Sequence, residues 1–324
     1  MPSDHVSLPL KDHRNHFLFS GNARSSIPDG AVLDTSDIED SPLALVVLNT
    51  ERDRESREIL RHLWSQASLR LCADGGANRL YDSLEEADRT SFVPDVIVGD
   101  LDSLRPEVCS FYQGLGSKVR REQDQDHNDF EKCLVEVERL AGTTLREGTN
   151  DLGTTKCLET GFDSRKEGRG GEQGRKYGEV ETVTATRWMV DQFTVVGLGA
   201  FGGRFDHEMA AMSLLHTYTA RFHRLVLLGS GNIAFLLDED HKHIICPDRR
   251  FEGPTCGLFP IGGPCQSVTT KGLQWNLEEG HLEFGILVST SNCITGAEVQ
   301  VKTDSPLVWN VEFLTAEWLR IVSG

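Results

Sequence analysis

The chain reads as an α/β protein, with an N-terminal Rossmann-like domain on a mostly parallel sheet followed by a C-terminal all-β sandwich domain. Three observations predict this. Up to about residue 240, apolar runs of strand length alternate with helical patterns. From about His241 onward, short runs with β-branched or aromatic residues recur between Gly, Pro and Asn turns. Finally, three acidic clusters follow or abut apolar runs, at the strand exits where open α/β sheets bind ligands. They are Gly99-Asp100-Leu101-Asp102-Ser103, Asp124-Gln125-Asp126-His127-Asn128-Asp129-Phe130 and Gly202-Gly203-Arg204-Phe205-Asp206-His207.

Taken in order, residues 1–41 mix Asp, Ser, Pro, His and Gly without periodicity and are expected to form a flexible extension. The α/β domain is expected over residues 42–240. Leu43 to Asn49 is a strand-length apolar run, and Ile59, Leu60, Leu63 and Trp64 share one face of a following helix. Leu69 to Ala73 and Val96 to Val98 give two more strands, the latter leading to a helix with Ser103 as cap and Pro106 in its first turn. Asn128 and Glu131 have capping-box spacing and open a helix through Phe130, Cys133, Leu134, Val137 and Leu140. Residues 142–192 break the rhythm, are poor in apolar residues at their centre, and are expected to be a disordered insertion. The pattern resumes with Phe193 to Gly197, a helix over about 206–220, and Leu225 to Leu228. Five runs carry the expected sandwich at 241–324: Cys256 to Phe259, Ser267 to Thr270, His281 to Gly285, Val299 to Thr303 and Leu307 to Phe313.

A length of 324 residues suffices for two domains with sizeable cores. Fifty acidic against 33 basic residues leave a net charge of −17, which disfavours nucleic acid or an anionic membrane as partner. The eight cysteines contain no C-x-x-C pair and read as reduced thiols. No signal-peptide core or membrane-spanning run is present, so a cytoplasmic protein is expected.

The acids carry the chemistry. Like charges about 5 Å apart repel by roughly 3 kcal/mol per pair at an effective dielectric near 20, so converging carboxylates call for a cation. Mg²⁺ fits, being a hard ion that binds carboxylates together with substrate phosphates. Asp100 and Asp102, two residues apart on an exit turn, can share one ion, or can form a solvated turn with a cap. Asp74-Gly75-Gly76 places an acid at a strand end and then two glycines, which suit either close backbone approach to a phosphate or a tight turn. Gly197 to Gly202 matches G-x-G-x-x-G, yet Thr217 to Arg224 lacks the acidic residue that a dinucleotide site expects. Arg204 can bind phosphate bidentately or pair with a neighbouring acid, and Asp206 can join the metal cluster. His127 and His207 stand beside these acids as candidate bases or structural groups. No Walker G-x-x-x-x-G-K-[ST] sequence and no H-R-D catalytic loop occurs. Trp275, among polar neighbours, suits a rim that stacks a flat cationic ring, with the Ser and Asn residues of 289–292 orienting it.

Together these segments resemble thiamine pyrophosphokinases of the eukaryotic type. The resemblance covers most of 43–141 and 193–313, and rests on Ala73 to Asp82, Gly99 to Ser103, Asp124 to Phe130, Gly203 to Asp206, Gly272 to Leu277 and Leu287 to Asn292. It implies the reaction ATP + thiamine → thiamine diphosphate + AMP with Mg²⁺, in a homodimer with active sites at the subunit interface. It also implies a metal centre of Asp100, Asp102 and Asp129, with Asp74 and Asp206 as further acids; either Asp74 or Asp129 is a candidate to accept the hydroxyl proton, and the sequence does not choose between them. Asp74, Gly75, Gly76, Asn78, Arg79 and Arg204 then serve ATP, while Trp275, Ser289, Ser291 and Asn292 serve thiamine. Leu101 and His207 depart from the residues usual in the family. A metal-dependent nucleotide phosphohydrolase would use the same acids, and a non-catalytic thiamine- or nucleotide-binding protein remains the third reading.

Overall fold

The computed structural model describes residues 8–18, 41–51, 54–141 and 188–322. Its frame is a ten-stranded sheet. Six parallel strands come first: β2 (Leu43–Val47), β3 (Leu69–Ala73), β4 (Val96–Gly99), β5 (Lys118–Arg121), β6 (Thr194–Leu198) and β7 (Arg224–Gly229). Their spatial order is β5-β4-β3-β2-β6-β7, so the chain grows one way from β2 and then returns to its other side at β6. The crevice beyond the ends of β2 and β6 is therefore the topological switch point. β2 and β6 are buried at every residue, as expected of strands covered on both faces.

Helices cover both faces. α1 (Arg54–Gln66) buries Ile59, Leu60, Leu63 and Trp64, the stripe expected from the sequence. It shares a core with α2 (Gly76–Asp82) and α3 (Pro106–Gly114). α4 (Asp129–Leu140) and α5 (Phe205–Tyr218) pack on the opposite face through Phe130, Leu134, Val137, Leu214 and Leu215.

After β7 the turn through Ser230 and Gly231, both at positive φ, reverses the chain into β8 (Asn232–Leu237). The same sheet then continues antiparallel through β15 (Leu307–Phe313), β10 (Glu252–Phe259) and β13 (Ser289–Cys293). A second sheet, ordered β1-β9-β14-β11-β12, contains β1 (Leu10–His13), β9 (Lys242–Ile245), β11 (Cys265–Lys271), β12 (Gly280–Leu282) and β14 (Val299–Thr303). Val268, Val299 and Val301 from it share one apolar core with Phe235, Leu258 and Trp309 of the large sheet. The sandwich is thus made from the small sheet and the antiparallel end of the large one, and the boundary expected at 240/241 does not divide the sheet. α6 (Thr315–Val322) closes the described chain.

Two expectations need correction. Residues 10–18 are not loose extension: β1 pairs in parallel with β9, and Phe17 and Leu18 enter the core. A strand edge and two apolar side chains outweigh an unremarkable local composition. The cap of α3 is Arg105 rather than Ser103, which is turned toward the acids instead. Asn128 does cap α4, accepting from the Glu131 N–H at 2.9 Å. Residues 142–187 of the expected insertion lie outside the described residues, and 188–192 lead directly into β6.

Leu18 is fully buried, and its carbonyl accepts a 3.0 Å hydrogen bond from the Trp318 indole N–H. Leu18→Ala is expected to lower unfolding stability by about 3 kcal/mol, read as a reduced urea midpoint at unchanged slope. An unchanged midpoint would mean that residues 8–18 do not dock in solution.

Candidate active site at the carboxyl edge of the sheet

The site is set by backbone geometry at the ends of β3 and β4. Asp74 follows β3 with φ of 42° and is 2 % exposed, while Leu101, between the two β4 acids, has φ of 66°. These left-handed residues bend each strand exit sharply, so Asp74, Asp100 and Asp102 turn toward one another. Each offers an oxygen, and the three oxygens lie within 4.8 Å of one another.

Glycines permit the approach. A Cβ at Gly99 would lie 2.6 Å from Asp74 Cβ and 3.2 Å from Asp129 Oδ1, so Gly99 is the gap through which these acids draw close. A Cβ at Gly76 would lie 2.2 Å from the Val47 carbonyl oxygen, so α2 can start against β2 only with glycine there. Asn78 joins α2 to the β4 exit: its Nδ2 donates to the Ser103 carbonyl at 2.7 Å, and its Oδ1 accepts from the Arg105 N–H at 3.1 Å. Arg79 is held by Asn49 at 2.9 Å and Glu51 at 3.2 Å.

Asp74 Oδ2 accepts from the Ser103 N–H at 3.1 Å, whereas Oδ1 is buried without a hydrogen-bond partner. Burial pushes its carboxyl up to about 6; the Ser103 N–H opposes this, and Asp129, Asp100 and Asp102 add to it. Asp100 titrates below its ordinary value because the Asp102 N–H donates to it. Asp129 opens α4, located by Phe130, whose ring lies where a Cβ on Gly197 would be. Burial raises Asp129, and Lys132 counters it from 3.3 Å.

The buried Lys132 escaped sequence reasoning, although its i+3 spacing from Asp129 is legible. Glu208 also escaped: it accepts from the Gly202 and Gly203 N–H groups at 2.8 and 3.2 Å and fixes the turn before α5. Arg204 and Asp206 on that turn are both exposed and pair with each other at 2.5 Å, so Asp206 is not one of the three converging carboxylates. His127 pairs with Asp124 at 2.6 Å, and that bond raises its pKa.

In the sandwich, Trp275 is 58 % exposed, a rim rather than a core position. The buried Asn292 holds its loop, donating to the Trp275 carbonyl at 2.8 Å and accepting from its N–H at 3.2 Å. Ser289 is half-buried and Ser291 exposed at positive φ. The segment and the acids belong to different ends of the large sheet: β13 and β3 are seven strand spacings apart along it, about 34 Å of sheet.

This is an α/β protein with a carboxylate centre at the carboxyl edge of its parallel sheet, able to receive a divalent cation, joined to a β-sandwich with an exposed aromatic rim. Residues 60–227 match the family model described as thiamin pyrophosphokinase, catalytic domain, and residues 242–308 match the one described as its vitamin B1 binding domain. Thiamine pyrophosphokinase 2 of Oryza sativa is 36 % identical over 277 residues, covering 83 % of this chain and 85 % of the rice protein. Thiamine pyrophosphokinase 1 of Arabidopsis thaliana is 37 % identical with the same coverage. The crystal structure of yeast thiamin pyrophosphokinase superposes with a TM-score of 0.68 at 21 % identity, over 98 % of this chain and 95 % of the yeast one, and shares the fold. The chain belongs to the thiamin pyrophosphokinase family.

An acid whose folded pKa lies above its unfolded one contributes stability while protonated, and that contribution is lost as the pH rises through the folded value. For Asp74 the loss falls between about pH 4 and above 6 and amounts to at most roughly 3 kcal/mol. In chelator, Asp74→Asn is therefore expected to be more stable than the parent at pH 7.5, with the advantage shrinking toward pH 4 in thermal melts. A pH-independent difference would refute this assignment of the buried charge.

Proposed function

We propose that the chain transfers the pyrophosphoryl group of ATP to the hydroxyl of thiamine, giving thiamine diphosphate and AMP. The observation that carries the reading is the convergence of Asp74, Asp100 and Asp102 beneath an orphaned Asp74 oxygen, in a chain of this family. Those three residues fit Mg²⁺, with Asp129 adjoining them from α4. When bound, the ion supplies charge neutralisation for carboxylates and phosphates.

The protein's own groups do the positioning, which dominates phosphoryl-type transfer. Gly75 and Gly76 keep the α2 start low against β2, leaving backbone room for phosphates. Arg204 on its exposed turn is a guanidinium within reach of an incoming anion, exchanging Asp206 for phosphate oxygens. Asp129, with Lys132 beside it, accepts the proton of the thiamine hydroxyl in this proposal. Trp275 stacks the cationic ring, and Asn292 keeps the tryptophan loop in place.

In this reading the protein is a homodimer, which the separation supports. With about 34 Å of sheet between the rim and the acids of one chain, the partner subunit's rim completes each site in this reading. The exposed apolar side chains Phe284, Ile286 and Leu287 near the rim favour such packing. We also place the protein in the cytoplasm: the described cysteines are all free, and no described helix is long and apolar enough to cross a membrane.

Incubation with ATP, Mg²⁺ and thiamine should yield thiamine diphosphate and AMP; ADP, or ATP consumption without thiamine, would sink the reading. Asp102→Asn is expected to cut turnover by at least ~100-fold with the fold intact. Trp275→Ala should raise the KM for thiamine about tenfold and leave that for ATP unchanged. Assayed with thiamine well below the parental KM, where each variant alone is at about a tenth of parental activity or less, an equimolar, re-equilibrated mixture of the two should recover about a quarter, because half the dimers then carry one intact site. No recovery despite subunit exchange would place both halves of the site in one chain.

A further inference from the structure

The turn that carries Arg204 has little to hold it in place. Residues 199–204 link β6 to α5 across the switch point, and Gly202 among them has φ of 86°, which glycine adopts without strain. Gly202, Gly203 and Arg204 are all exposed, so burial does little to fix the last residues before α5. Polar side chains from three elements supply the contacts instead. Thr50, just beyond β2, donates to the Gly199 carbonyl at 2.6 Å, and Ser230, just beyond β7, donates to the Phe201 carbonyl at 3.1 Å. Both grip the beginning of the turn. At its end the Gly202 and Gly203 N–H groups meet a single atom, Glu208 Oε1, at 2.8 and 3.2 Å.

Glu208 is half-buried and is the fourth residue of α5, whose N-cap is Arg204. In an ordinary capping box the third helical residue reaches back only to the N-cap itself. Glu208 reaches further, past Arg204 to the two residues in front of it. Its own backbone N–H donates to the Arg204 carbonyl at 3.1 Å. One residue therefore ties the chain on both sides of Arg204, with its carboxylate before and its N–H after.

Arg204 needs such a tie. Its side chain is 71 % exposed, and its guanidinium is paired with the equally exposed Asp206. A long side chain on a loose turn loses much rotamer and backbone freedom when it meets an anion, and a fixed backbone removes part of that cost beforehand.

We propose that Glu208 is a positioning residue for the transfer: it touches no substrate, and by bracketing Arg204 it fixes where the guanidinium meets the phosphates. The inference rests on Arg204 binding phosphate, as proposed above, and adds what aims it. The working part of Glu208 is an acceptor oxygen at the right reach rather than its charge. Glutamine keeps that oxygen, aspartate falls one methylene short, and alanine removes it.

Glu208→Ala and Glu208→Asp are each expected to lower kcat/KM for ATP about tenfold, while Glu208→Gln keeps at least about half of the parental value. In an Arg204→Ala background, itself expected to be about a hundredfold impaired, Glu208→Ala should change kcat/KM by less than about twofold, because the group it aims is gone. The KM for thiamine should stay within about twofold of the parent in the Glu208 variants. A residue that only held up the fold would add its full loss in both backgrounds, and that additivity would overturn the inference. So would Glu208→Gln as impaired as Glu208→Ala, which would make the charge the cause, or near-parental kcat/KM in folded Glu208→Ala protein. Should the alanine variant not fold, the aspartate and glutamine variants carry the same comparison. If Arg204→Ala keeps the parental kcat/KM, the inference falls together with the phosphate role of Arg204, while thiamine diphosphate formation stands. If the parent makes no thiamine diphosphate, the reaction assigned above fails on its own, and the same variant cycle read as calorimetric binding of Mg-ATP decides Glu208.

Discussion

The site depends on keeping a carboxylate buried where it is not comfortable. Asp74 sits in the left-handed region, one oxygen satisfied by Ser103 and the other by nothing, among three further acids. Left alone, such a group would move into solvent or drag its strand exit outward. It is held by a set of close approaches that only small residues allow: Gly99 against Asp74, and Gly76 against the β2 carbonyl. Asn78 then locks the β4 exit to α2 through both ends of its amide. The parallel sheet supplies rigid strand ends, and these contacts turn them into a charged concavity.

The charge is managed unevenly around it. Lys132 lies beside Asp129, and backbone N–H groups serve Asp100 and Asp74, but the region as a whole stays electron-rich. Helix starts contribute as well, since Asp129 opens α4 at the positive end of its dipole. The opposite side of the switch point is different in kind. There a cavity is lined by Ile59, Leu198, Leu228 and Phe313 together with Ser56, Ser230 and Thr315, so one edge of one sheet presents two unlike chemistries about three strands apart.

Much of this was legible in the amino-acid order. The apolar runs of β2 and β6 and the Ile59 to Trp64 stripe announced covered strands and an amphipathic helix because burial leaves a direct periodic trace. The acids at the strand exits were legible too, their spacing being local. What escaped was non-local. Pairing of β1 with β9 joins residues more than two hundred positions apart, and nothing in Leu10 to His13 advertises a partner. Lys132 went unread because its burial depends on how α4 is rotated against the sheet, which its charge does not announce. Ser103 has every property of a helix cap, yet it stands two residues before the cap at Arg105, where the tight β4 exit aims its N–H at Asp74. The change from parallel to antiparallel within one sheet turned on the two positive-φ residues Ser230 and Gly231, which resemble any other loop in sequence.

That turn has a mechanical consequence. Because β8 hydrogen-bonds to β7 on one side and β15 on the other, the α/β half and the sandwich are continuous across backbone ladders rather than joined by a linker. Enzymes of two layered domains often close over substrate by bending between them, but here such bending would have to break a sheet through its middle. Any closure is left to the loops at the carboxyl edge.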